Sequence, residues 1–161
     1  MQMPPSSEPV KQFRFAAYWV DKILFSSFDP AKIEPVGQPG LQRVDLQAGM
    51  GVDEENLRGQ VSLTVIVTPD PRIHPYKIEV MVTGQFAAAH GASPEDLDLF
   101  CRVNAPAILF PFARQVIHGV TMDGRQGPVL LQPMNMLEAL KPDGWNQSDA
   151  QGKSAEAKPE G

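Results

Sequence analysis

The sequence predicts an α+β domain, a four-stranded antiparallel sheet followed by a long helix and a short C-terminal helix. Three observations carry this. Residues 13–83 hold four runs in which apolar side chains recur every second position. Helix signals gather only after residue 93, so strands and helices are segregated along the chain. The run NAPAILFPFARQVI at 104–117 is apolar nearly all round, with Arg114 and Gln115 its strongly polar residues after Asn104. A helix buried on one side of a monomer shows a polar face. This one is therefore expected to be covered on more than one side, in an oligomer.

In the first strand Phe13, Phe15, Ala17 and Trp19 alternate with Arg14, Ala16 and Tyr18. Ile23 and Phe25 resume the apolar alternation beyond Asp21 and Lys22, and a β-bulge is expected near Val20–Lys22. A loop follows with Pro30, Pro35, Gly37, Pro39 and Gly40. Val44, Leu46 and Ala48 predict a short second strand, ended by Gly49 and Gly51. Val61, Leu63, Val65 and Val67 share one face of a third. Pro69, Pro71 and Pro75 hold the connection to a fourth, where Tyr76, Ile78, Val80 and Val82 alternate with Lys77, Glu79, Met81 and Thr83. Such alternation marks an antiparallel sheet with one covered face. Yet Tyr18, Ile66 and Met81 place apolar groups on the second face too, which points to an interaction site or a sheet covered by an oligomer.

Ser93 is an N-cap, with Pro94 at the first helical position and Asp96 completing a capping box. Pro111 lacks the donor for an intrahelical bond and disfavours helical geometry at Phe110. Either the helix kinks there or the main helix starts at Pro111, with Gly124 as its stop. Gly127-Pro128 opens an extended piece, and MLEAL at 136–140 is one more amphipathic turn.

Residues 1–11 are rich in Pro and Ser. Residues 141–161 carry Trp145 as their only large apolar side chain. Neither end buries enough surface to offset its ordering entropy. The expected organisation is a disordered arm at 1–11, a domain at 12–140 and a disordered tail at 141–161.

The chain has 161 residues and a net charge of −5, without a Lys/Arg cluster, which argues against nucleic-acid binding. No run approaches about eighteen consecutive apolar residues, so no membrane insertion is expected. The start lacks a basic and apolar signal sequence, so a cytoplasmic location is the default. The single cysteine, Cys101, fits a reducing compartment.

Catalytic readings are weak. His74, His90 and His118 have no metal-ligand spacing, and no metal or cofactor is expected. Cys101 with His118 lacks any marked oxyanion hole, and packing is the preferred role for the thiol. Glu54-Glu55 fits a loop, and Glu95-Asp96 fits a helix N-terminus, where acids offset the dipole. Met134 and Met136 are read as packing residues, although Met also serves adaptable binding surfaces.

The stretch AILFPFARQVI followed by GPVLLQPMN resembles the SecB protein-export chaperones, whose hallmark is an N-x-L-F-P-[YF]-A-R helix and an extended segment ending in P-[VM]-N. Tyr18–Phe28 and Glu79–Phe86 resemble the family's first and fourth strands more weakly. The resemblance implies a homotetramer, a dimer of dimers with the long helices at the interface, here through Leu109, Phe112, Val116 and Ile117. It implies no catalysis and no cofactor. The implied activity is holdase binding of unfolded preproteins and their delivery to the SecA motor. The implied client groove carries Val44, Leu46, Tyr76, Ile78, Val80, Met136 and Leu140, and Glu79 matches an acid that docks SecA. The two acidic positions of the first strand fall on Lys22 and Ser26. Asp21 is adjacent, but a one-residue step is expected to put it on the other face. The usual RGTFP stretch is DGRQGP here. Some relatives protect an antitoxin of a toxin–antitoxin system, which is the alternative implied role.

Overall fold

The structure, a computed structural model, describes residues 10–35, 37, 39, 42–140 and 145–146. Strands β1 (Gln12–Ser27), β2 (Val44–Asp53), β3 (Arg58–Val67) and β4 (Tyr76–Ala89) precede helices α1 (Pro94–Val103), α2 (Ala105–Thr121) and α3 (Met136–Ala139), and a two-residue strand β5 (Trp145–Asn146) closes the series. The strand order is β1-β4-β3-β2-β5. The chain therefore leaves β1 at one edge, crosses through residues 28–43, and returns by hairpins until β4 pairs with β1. The four main strands are antiparallel, as the alternation predicts, and β5 lies parallel to β2.

The helices cover one face of the sheet. Val61, Leu63, Val65 and Val67 of β3 and Tyr76, Ile78, Val80 and Val82 of β4 point to that face and are fully buried. Leu97 and Cys101 of α1 join the same core, as do Leu109, Phe110, Ala113 and Ile117 of α2. Each large apolar side chain so buried contributes roughly 1.5–3 kcal/mol. Gly84 admits the helix: a Cβ there would lie 2.7 Å from Leu109 Cδ2.

The bend in the helical run falls earlier than Pro111. Helix α2 passes through Pro111 without interruption, and the break lies at Asn104, beside Pro106 in the first turn of α2. Backbone bonds bridge it, from Asn104 N to Phe100 O and from Ile108 N to Asn104 O. Pro106 explains the place, because proline is tolerated in a first turn. Pro111 and Ala107 are both exposed, so the carbonyl that proline leaves unpaired lies on a solvent-facing side of the helix. The capping box at Ser93 is complete, with Ser93 N donating to Asp96 Oδ2 at 2.9 Å and Asp96 N to Ser93 Oγ at 3.2 Å.

Three strand readings change. Two register shifts interrupt β1, one between Val20 and Lys22 as predicted and one between Phe15 and Ala17. The second turns the strand over: Phe13 and Phe15 face the helices, and then Tyr18 and Val20 do, while Trp19 faces away. Gly49 and Gly51 do not end β2, because Met50 and Val52 keep the period and the hairpin pairs down to Asp53 and Arg58. Trp145 and Asn146, within the stretch read as tail, pair with Ala48 and Gly49. Apart from residues 10–11 and 145–146, the expected arm and tail lie outside the described residues, and Lys11 pairs with Asp96 at 2.9 Å. No helix of the described residues is long and apolar enough to cross a membrane.

Candidate functional site

The helix-side face of β1 is an uncovered apolar surface of the single chain. Helix α2 packs on β4 and β3 and leaves β1 beside it. Phe15, Tyr18, Val20, Ile23 and Phe25 pair with β4 positions on the helix side of the sheet, so they line one ridge. All five are exposed, Tyr18 at 45% and Ile23 at 46%. Phe112 of α2 joins this ridge, its ring centroid 4.1 Å from that of Tyr18. A long edge strand with apolar side chains on both faces invites a partner.

The residues suggested for the oligomer contact divide in two. Leu109 and Ile117 point into the protomer's own sheet and are fully buried there. Phe112 and Val116 are half-buried on the flank of the same core. The apolar girth that suggested an assembly is therefore used in part within the chain.

The residues suggested for client contact are brought together, but inside the core. Tyr76, Ile78 and Val80 are fully buried, Leu46, Met136 and Leu140 nearly so, and Val44 is half-buried. Tyr76 organises this end. Its hydroxyl donates to Gly127 O at 2.9 Å and accepts from Gln126 N at 2.8 Å. A Cβ at Gly124 would lie 2.5 Å from that oxygen, so only glycine fits the turn. Thr121 Oγ1 accepts from Val129 N at 2.8 Å and fixes where the extended segment leaves the helix. Asn135 caps α3 through Leu137 N at 3.1 Å, and Leu137 itself is 64% exposed.

His74 stacks on Tyr76, its Nδ1 accepts from Tyr76 N at 3.2 Å, and its Nε2 contacts the Gln42 side-chain amide. Burial pushes the His74 pKa down, against the opposing pull of Asp70. Asp70 is held at about 2 by the side-chain bonds from Arg72 and by the Arg72 backbone N–H.

The other face of the sheet is polar with apolar islands. Trp19, Lys22, Leu24, Ile66, Glu79 and Met81 share it, and Leu24 is 52% exposed. Lys22 Nζ lies 2.9 Å from Glu79 Oε1. Asp21 occupies the bulge and shares this face: it accepts from Trp19 Nε1 at 2.9 Å and from the Thr83 hydroxyl, which also contacts Ser62 Oγ at 3.0 Å. The expected flip of Asp21 to the helix side does not occur, because a bulge sets two residues opposite one. Sequence reasoning could have placed Asp21 from the expected bulge itself.

Burial pushes the Cys101 thiol up to about 11, away from the thiolate that nucleophilic chemistry needs. Among the described residues no group of three or more His, Cys, Asp or Glu could hold a metal ion.

Comparison with known proteins gives one consistent result. The family described as preprotein translocase subunit SecB matches residues 7–141. The protein-export protein SecB of Rhodospirillum centenum is 30% identical over 106 residues, which cover 65% of this chain and 62% of that one. The SecB of a Bradyrhizobium species is 24% identical over 151 residues, covering 92% of this chain and 91% of the relative. Among solved structures, the Mycobacterium tuberculosis Rv1957 SecB-like chaperone, in complex with a ChAD peptide from the Rv1956 HigA1 antitoxin, superposes with a TM-score of 0.58 at 11% identity, over 76% of this chain and 90% of that one. That likeness is one of fold.

Proposed function

The chain belongs to the SecB family of chaperones, and we propose that it is an ATP-independent cytoplasmic holdase that keeps unfolded precursors competent for delivery to SecA. The observation that carries this is the SecB family match across residues 7–141, on a protein whose Met136 and Leu140 share one apolar cluster with Leu46, Tyr76, Ile78 and Val80, Val44 packing at its margin. Many weak apolar contacts hold unfolded segments without sequence specificity. No catalytic step and no cofactor are assigned.

The ridge and the outer flank of α2, with Phe112 and Val116, form the homotetramer contacts; Leu109 and Ile117 support them from within the protomer. Clients are held between the β2 side of the core and the last helical turn. Leu137 meets the client first, and Met136, Leu140, Val44 and Leu46 follow as α3 opens over the floor of Tyr76, Ile78 and Val80. A four-residue helix is a cheap element to open. SecA docks on the opposite face at Glu79 and Asp21, weakened by Lys22, which neutralises Glu79.

Gel filtration tests the central reading. The chain is mixed with a reduced, carboxymethylated and permanently unfolded protein, and then with its native form. Co-elution with the unfolded form alone is expected; no complex with several unfolded proteins overturns the reading.

A second role has specific observations in its favour. The ion-paired Glu79 and the absence of acids at Lys22 and Ser26 weaken the case for SecA, and a fold relative is bound to an antitoxin peptide. A chaperone dedicated to one antitoxin would bind a single client and spare the rest.

A further inference from the structure

Strand β2 forms the sheet edge opposite β1, and among the described residues its only cover is β5. Two residues of this chain, Trp145 and Asn146, pair there with Ala48 and Gly49. Among the described residues this is the one parallel pairing in an otherwise antiparallel sheet. The Trp145 ring packs, half-buried, against the protomer core. Within residues 141–161 it is the only large apolar side chain.

We infer that Trp145 and Asn146 occupy, in cis, the β2 edge that takes an extended client segment bearing an aromatic side chain, so that they compete with the client and are displaced by it. The inference rests on the client-binding function just proposed. Adding a strand to a sheet edge draws affinity from backbone hydrogen bonds and specificity from one side-chain pocket. The seat at Ala48 and Gly49 has both parts, an edge whose outer side pairs with β5 alone among the described residues and an aromatic packed on the core. Any unfolded chain carries the same backbone, and many of its segments carry an aromatic residue. The occupant in cis is weakly held: two residues of parallel ladder are far short of a stable strand pair. It gains instead from being tethered, which keeps its effective concentration high. A weak, tethered occupant sets a threshold that a longer client strand overcomes. Occupancy in about nine molecules of ten weakens client binding about tenfold.

The test uses the full chain, its Trp145→Ala and Trp145→Phe variants, and reduced, carboxymethylated α-lactalbumin as a fluorescently labelled unfolded probe. Anisotropy titration should show W145A binding about threefold to tenfold more tightly, and W145F close to the original chain. Amide hydrogen exchange of residues 47–50 should speed up in probe-free W145A. Probe binding that is unchanged or weaker in W145A overturns the competition, and so does unchanged exchange at 47–50. If no form binds the probe, the client-binding function itself falls and the competition with it; if the original chain binds and W145A shows no gain, the competition alone is lost.

Discussion

The ammonium of Lys22 lies 2.9 Å from the carboxylate of Glu79, across neighbouring strands on the helix-free face of the sheet. A partly exposed pair of this kind adds about 0.2–1 kcal/mol at most to stability. Its larger effect is on the field of that face, where it cancels the acid proposed to meet SecA. Lys22→Glu should therefore strengthen binding of the SecA C-terminal zinc peptide by about tenfold at low salt, with the gain shrinking as salt rises. Calorimetric titration reads this; equal affinity in both forms removes Glu79 from the docking site.

Leu109 and Phe112 lie on one helix but should fail differently. Leu109→Asp puts an unpaired charge into the closed core, at a cost of several kcal/mol, and should unfold the protomer. Phe112→Asp should leave the circular dichroism spectrum intact and break the assembly, because Phe112 is only half-buried in the chain alone. Light scattering that still gives a tetramer for Phe112→Asp contradicts the proposed contact.

Tyr76→Phe keeps the ring and removes the hydroxyl that serves Gln126 and Gly127. It should cost about 1–3 kcal/mol in denaturant unfolding, since it leaves a backbone donor and an acceptor unpaired. Gly124→Ala should cost more, because its Cβ overlaps the ring. Unchanged stability in both variants would show that this turn does not rest on Tyr76.

His74 gives a pH signature. Its folded pKa lies below the ordinary 6.5 because burial disfavours the cation. The unfolded chain therefore takes up the proton first as pH falls. The stability that neutral His74 contributes is complete above pH 6.5 and is lost as pH drops towards its folded pKa. Denaturant midpoints should decline over that window in the original chain and stay flatter in His74→Gln. Parallel declines assign the effect to another group.

How much of this was legible depended on whether the two faces of an element differ in polarity. In β3 and β4 apolar and polar side chains alternate, and the buried set from Val61 to Val82 could be read directly. In β1 both faces are apolar, so the bulge after Phe15 left no mark and the facing of Trp19 was inverted. The bulge at Val20–Lys22 was visible, but its effect on Asp21 was not drawn from it. Pro111 looked like a break because proline removes a bond; its exposed position made that loss cheap, and Pro106 set the boundary. The client residues implied by the family resemblance share one cluster, yet a carry-over by position cannot tell a groove from a core, and in the single chain all but Val44 are buried. Trp145 offered one signal, a lone large aromatic in a polar tail, with nothing in the sequence to show where it would seat.

The most direct measurement of the central claim is light scattering from a chemically unfolded client diluted into buffer without ATP. Equimolar chain should suppress most of the aggregation of several unrelated clients and release them in a refoldable state. Unaltered aggregation of every client would contradict the holdase account.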